Sequence, residues 1–255
     1  MSKFVDRLKR QTTSGAQPMG FRATETTKPP ALLLVLHIPQ PKAQAVASTA
    51  RGNPDALLVD IEKATAAHLR EMAGAAGEIP LGCALGKPPT PGEMQQLQDA
   101  GCDFMVFEPA VMPLQLWEDI KAGRVLKVDP SLPEGWLRAI DQVEADAVLA
   151  GSPPQVGLSL SDLLSYHRLA SLITKPILAW VAPDVKSSEL QALGEARVAG
   201  IVVSHTSEEE LHRLRRTIEA LPPPRRRPRR LEAVLPPLPG MPGPTEEEEE
   251  EIEQI

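Results

Sequence analysis

The chain has 255 residues, 27 basic against 34 acidic side chains for a net charge of −7, 42% hydrophobic residues and 3% aromatic ones. That much apolar residue supports a core in one large domain or two small ones and excludes a chain disordered throughout. No apolar run reaches the length of a membrane span, no charged leader precedes an apolar stretch with a cleavage site, and Cys83 and Cys102 form neither a CxxC pair nor a disulfide framework, so a cytoplasmic protein is expected.

The first 30 residues carry six basic and two acidic side chains. Phe4, Val5 and Leu8 oppose Lys3, Arg7, Lys9 and Arg10, a short basic amphipathic stretch able to touch a membrane surface or dock on a partner, and a polar linker follows up to residue 30.

Residues 31–220 carry 16 basic and 24 acidic side chains and hold the domain. Eight apolar, β-branched runs of strand length begin near Ala31, Ala56, Ile79, Phe104, Arg124, Ala147, Pro176 and Gly200, at steps of 20 to 29 residues. They are nearly continuous rather than alternating, as in strands of a parallel sheet covered by helices. The segments between them read as helices. Thr90 with Glu93, Ser131 with Glu134, Ser159 with Asp162 and Ser207 with Glu210 have the spacing of capping boxes, and Gly77, Gly101, Gly123 and Gly200 stand where helices should end. Eight βα units of this spacing predict a single (β/α)8, or TIM, barrel, with an open doubly wound sheet as the alternative.

The last segment, residues 221–255, holds nine of the 27 prolines, an arginine cluster from Arg225 to Arg230 and six consecutive glutamates from Glu246 to Glu251. Such a composition cannot bury enough surface to offset its ordering entropy, so a disordered tail open to protein contacts is expected.

In a barrel of this type chemistry sits at the C-terminal ends of the strands. That rule selects His37; Asp60, with Glu62 and Lys63 after it; Cys83 and Lys87; Glu108; Lys127 and Asp129; Ser152; Trp180 and Asp184; and Ser204 and His205. Alternate side chains of a strand face the axis or the helix layer, and a charge is costly against apolar helices, so Asp60 with Glu62, Glu108, Lys127 and Asp129 are expected to point inward, around one mouth with His37. Lys127 could then act as nucleophile or general base with Glu108 and Asp129 as proton-transfer partners. No cofactor motif is present and none is expected, although Asp60, Glu108 and Asp129 with His37 could instead hold a magnesium ion. Bland roles stand beside these. Lys127 could form a structural ion pair with Glu108 or Asp129, Asp60 and Glu62 could cap the next helix, and His37 could bond to backbone. Cys83 and Trp180 read as core, and His68, His167 and His212 as surface residues of helices.

Two further stretches carry a resemblance. Lys175 to Val181, followed by a helix and then Ala199 to Ser204, and the lead-in Gly101-Cys102-Asp103-Phe104, resemble the phosphate-binding and flavin-type (β/α)8 barrels. The resemblance implies a cup of glycine amides for phosphate after strands seven and eight. Here those places hold Val181-Ala182-Pro183-Asp184 and Ser204-His205-Thr206, and the next helix opens with Glu208, Glu209 and Glu210. Proline removes an amide donor and three carboxylates repel an anion, so a degenerate phosphate site is expected, with flavin mononucleotide and phosphorylated sugars disfavoured. An acidic domain with eight aromatic residues offers little to nucleic acid. The expected function is therefore a small-molecule enzyme, aldolase- or lyase-like or metal-assisted, acting on a non-phosphorylated carbonyl or carboxylate compound. The alternative is a degenerate barrel serving as an interaction scaffold or metabolite-binding regulator.

Overall fold

The computed structural model describes residues 2–13, 30–40, 42–61, 66–154, 157–204 and 207–222. In chain order the elements are α1 (Lys3–Thr13), β1 (Leu33–Ile38), α2 (Ala43–Ala50), β2 (Ala56–Asp60), α3 (Ala66–Ala76), β3 (Leu81–Leu85), α4 (Pro91–Asp99), β4 (Phe104–Phe107), a 3-10 turn (Pro109–Val111), α5 (Leu114–Trp117), β5 (Gly123–Val128), α6 (Glu134–Gln142), β6 (Ala147–Ala150), α7 (Leu160–Leu172), β7 (Ile177–Val181), α8 (Ser187–Glu195), β8 (Val198–Ser204) and α9 (Glu208–Glu219). Each strand pairs in parallel with the next, and β8 returns to β1 from Leu33 against Gly200 to His37 against Ser204, so the sheet closes. Closure rather than an open sheet follows from the even rhythm of the units, which leaves no switch point.

The period-two side-chain pattern divides the apolar residues into two cores. Leu34, Leu36, Leu57, Val59, Cys83 and Met105 face outward and pack against the helices. Leu33, Val35, Leu58, Phe104, Val125 and Leu149 fill the bore. The bore is kept passable for large side chains by glycine: a Cβ at Gly82 would stand 2.2 Å from the Phe104 ring. Gly123 and Gly200, expected as helix ends, lie inside β5 and β8 instead. A Cβ at Gly200 would come within 2.9 Å of the Leu33 carbonyl, and one at Gly123 within 2.5 Å of Val5. Gly77 and Gly101 do end helices, with φ of 64° and 91°.

That contact with Val5 shows what the N-terminal stretch does. Its apolar face turns into the barrel rather than outward: α1 stoppers the N-terminal end. Phe4 and Leu8 are fully buried in the bore core, Phe4 against Phe104 with ring centroids 4.4 Å apart. Burying each of these side chains contributes about 1.5–3 kcal/mol. The helix start is capped from far along the chain. Asp103 accepts from the Ser2 hydroxyl at 2.7 Å and from the backbone N–H groups of Lys3 at 2.8 Å and Phe4 at 3.0 Å. A carboxylate there satisfies orphan donors and meets the positive end of the helix dipole. The basic face is used as well, since Arg7 donates to the Asp55 carbonyl and Lys9 pairs with Asp146. The segment 1–30, expected to stand apart from the domain, therefore contributes a helix to it, and the Gln11 amide ties the end of that helix to the Pro30 carbonyl.

Asp55, Asp103 and Asp146 form a set, each standing one residue before an even-numbered strand. Asp55 also accepts the Leu34 N–H and an Arg215 bond at 2.7 Å, and Asp146 accepts the Arg124 N–H. They knit the N-terminal rim.

Capping boxes form at Thr90–Glu93, Ser159–Asp162 and Ser207–Glu210. The box expected at Ser131 does not: α6 begins at Glu134 behind Pro133, and the Ser131 N–H is taken by Asp129. The fourth unit departs most from the pattern. Between β4 and β5 stand a three-residue turn and a four-residue helix, where other units have helices of eight to thirteen residues. The tail from residue 223 and the positions Glu62, Lys63 and His205 lie outside the described residues.

Candidate functional site

The C-terminal mouth carries the inward positions that follow the bore core. His37 continues Leu33 and Val35 on β1, Asp60 continues Leu58 on β2, and Lys127 continues Val125 on β5. Glu108 and Asp129 follow the ends of β4 and β5 with the same parity. These side chains separate into two groups.

On one side His37 Nε2 and Asp60 Oδ1 are 2.9 Å apart, between adjacent strands. The His37 side chain is 9% exposed, that of Asp60 41%. In the neutral imidazole a carboxylate on Nε2 selects the tautomer with its proton on that nitrogen, which leaves Nδ1 as an acceptor. Trp180 of β7 stands edge-on to the imidazole, with centroids 5.1 Å apart at 90°. His37 Nδ1 and Trp180 Nε1 are both buried and meet no hydrogen-bond partner among the described residues. Burying such groups unpaired costs about 1–3 kcal/mol each, so each calls for a partner or a role.

Across the mouth Lys127 Nζ lies 3.0 Å from Glu108 Oε1, with side chains 35% and 54% exposed. An ion pair this open contributes about 0–1 kcal/mol to stability, so it is a poor structural plug. Asp129 turns to its own loop, where the Ser131 N–H and side chain hold its carboxyl below the usual carboxylate range. Asp60, Glu108 and Asp129 thus each engage a different group. Among the described residues no three His, Cys, Asp or Glu side chains come together as a metal ion would require.

Two cavities adjoin the second group. One of about 250 Å³ lies under the loops after β5, β6 and β7, between Asp129, Ser152, Tyr166 and Trp180. The other, of about 940 Å³, opens on the flank between α5 and α6, walled by Met112, Leu114, Trp117, Trp136, Ile140 and Val143, with Glu108, Lys127 and Asp129 at its upper end.

The remaining expectations fall into place around these groups. Cys83 is a buried outward-facing residue, and the Cys102 thiol is pushed well up by its bond to Cys83 and by burial, so it offers no thiolate nucleophile. His68, His167 and His212 are exposed on helices. At the start of α9 the Ser207 hydroxyl accepts the Glu210 N–H and Glu210 accepts the Ser207 N–H, so the chain's own groups occupy part of the cradle that a phosphate would use.

Burial, with help from the Asp162 charge, raises the Tyr166 phenol to about 12 from its ordinary 10. Because the folded value lies above the unfolded one, Tyr166 supports the fold fully below pH 10 and loses that contribution as pH rises towards 12. Tyr166 is the sole tyrosine of the chain, so tyrosinate absorbance during alkaline titration reads it directly. The expected midpoint is about 12 in buffer and near 10 in concentrated urea.

The charged positions of the mouth were legible in the sequence; the place of Trp180 against His37 and the flank cavity were not. Each left only a trace there: Trp180 shares the inward parity of Leu178, and the segment between Glu108 and Gly123 is too short and too rich in proline for a full helix.

No family model and no curated protein matches the sequence. Solved structures match the fold. Thiamine phosphate pyrophosphorylase from Pyrococcus furiosus superposes with a TM-score of 0.58 at 14% identity, over 74% of this chain and 96% of that one. A ligand-free tryptophan synthase from M. tuberculosis gives 0.57 at 13% identity, over 86% and 98%. The tryptophan synthase complex from Pyrococcus furiosus gives 0.55 at 12% identity, over 75% and 98%. At these identities the likeness is one of architecture: the chain is a closed (β/α)8 barrel of the kind those enzymes share.

Proposed function

We propose that the protein is a small-molecule enzyme that moves a proton at the C-terminal mouth of its barrel, on a non-phosphorylated carbonyl or carboxylate compound. The observation that carries this reading is the His37–Asp60 pair, a carboxylate open to the mouth and bonded at 2.9 Å to a nearly buried imidazole. In the reaction, the Asp60 carboxylate takes the proton from the carbon beside a carbonyl, and His37 Nε2 behind it holds that carboxylate in place. Lys127 stands on β5, four strands round the ring from β1, and supplies a fixed cation for the oxygen that gains charge. A lysine bonded to a carboxylate at 3.0 Å suits that part better than the part of a nucleophile, which needs the neutral amine. The altered phosphate cradle of α9 argues for substrates without a phosphate.

The test is solvent deuterium exchange, followed by NMR, across a panel of short ketones, keto acids and carboxylic acids. The wild-type protein is expected to exchange the carbon-bound proton of at least one compound, and Asp60→Asn to slow that exchange by about 10²–10⁴-fold. His37→Gln is expected to fall between the two. Exchange by Asp60→Asn at the wild-type rate would refute the assignment. Binding of panel members without exchange would favour a metabolite-binding regulator.

A further inference from the structure

The flank cavity has a physical origin. The outer face of a barrel strand must be covered, and a helix ordinarily covers it. Over β4 and β5 the four-residue α5 leaves a gap before α6, and the gap keeps apolar side chains at the surface: Leu114 is 82% exposed and Trp136 64%. The wall is firm. Trp117 is held between the Phe107 ring, edge-on at 5.9 Å, and the Arg124 guanidinium at 4.8 Å. At about 940 Å³ the cavity is of the size that takes a drug-sized molecule. Its only charged lining residues among those described are Glu108, Lys127 and Asp129, all at the end nearest the barrel mouth, and together they carry one net negative charge. An anionic head placed there would meet two carboxylates and a lysine already paired with one of them. A cationic head complements the set.

We propose that this cavity seats an apolar amine, its aryl or alkyl body lying in the groove between α5 and α6 and its ammonium meeting Glu108 and Asp129. The proposal deepens the reading of the mouth as a small-molecule site, and rests on it, by naming the arm that the substrate carries. Binding in the groove needs no turnover, so the two can fail separately: the exchange panel above uses compounds without such an arm.

Three probes of one shape decide the matter by calorimetry on the full chain: 4-phenylbutylamine, 4-phenylbutan-1-ol and 4-phenylbutyrate. The amine is expected to bind saturably and about tenfold more tightly than the carboxylate. Ala139 lines the cavity from the exposed side of α6, so Ala139→Trp fills the groove without touching the core, and is expected to weaken the amine about tenfold at an unchanged Tm. Glu108→Gln is expected to weaken the amine about fivefold and leave the alcohol unaffected. Absence of saturable amine binding overturns the proposal. So does equal binding of amine and carboxylate, or undiminished amine binding by a folded Ala139→Trp protein.

Discussion

Replacing Phe4 by alanine is expected to destabilise the barrel by about 3–5 kcal/mol, although the residue lies four positions from the start of the chain. The ring is fully buried against Phe104, and its removal leaves a void in the bore core where Leu8, Leu33 and Val125 cannot collapse without moving strands. In a protein of this size that corresponds to a fall in Tm of roughly 6–20 °C. Thermal unfolding followed by circular dichroism measures it. Lys3→Ala, one residue earlier on the exposed face of the same helix, is the control, and its expected change is within about 0.5 kcal/mol. If Phe4→Ala unfolds at the wild-type temperature, α1 does not close the barrel.

The second large effect is expected at Asp55. Its carboxylate is nearly buried and accepts from the Leu34 N–H at 2.8 Å and from Arg215 at 2.7 Å. Asp55→Ala deletes both bonds and leaves a largely buried guanidinium with only the exposed Glu219 carboxylate, 3.2 Å from its Nε, as counter-charge, at a cost of about 3 kcal/mol. Asp55→Asn retains an oxygen for the Leu34 N–H and is expected to lose less. Combining Asp55→Ala with Arg215→Met removes the stranded charge and is expected to recover part of the loss, as urea titrations of the four proteins would show. A double variant less stable than Asp55→Ala would contradict that account. Lys127 and Glu108 sit at a similar distance, but in the open, and Glu108→Gln is expected to change stability by less than about 1 kcal/mol.

Much of the fold was legible because its signals are local. Nearly continuous apolar runs at a regular spacing require strands buried on both faces, and all eight appear within about two residues of their expected starts. Capping boxes at Thr90, Ser159 and Ser207 need only four residues to form. Ser131 failed because Asp129 reached its N–H first and Pro133 reset the helix start. Gly123 and Gly200 were misread because their reason for being glycine is a distant neighbour: Val5 for one, Leu33 for the other.

The same division holds at the mouth. The inward parity of His37, Asp60, Glu108, Lys127 and Asp129 follows from period two along each strand. Which of them bond to which depends on the stagger between strands, and no single strand contains that information. The stagger brings Asp60 to His37 and Glu108 to Lys127, and Asp129 is drawn away by its own loop. The role of α1 was the least legible feature. A basic amphipathic helix has the same composition whether it lies on a membrane or in a barrel, and the difference here is made by Asp103, about a hundred residues further on.

That distance has a consequence for synthesis. The helix that stoppers the barrel leaves the ribosome before any of the eight strands. Its seat is assembled from Asp103, Asp146 and a bore that closes only when β8 reaches β1. At about 5–20 residues per second, translation takes on the order of ten seconds or more to reach β8 from α1. Through that interval Phe4, Val5 and Leu8 have no closed bore to enter, and the nascent chain carries ahead of its strands an apolar stripe whose seat does not yet exist.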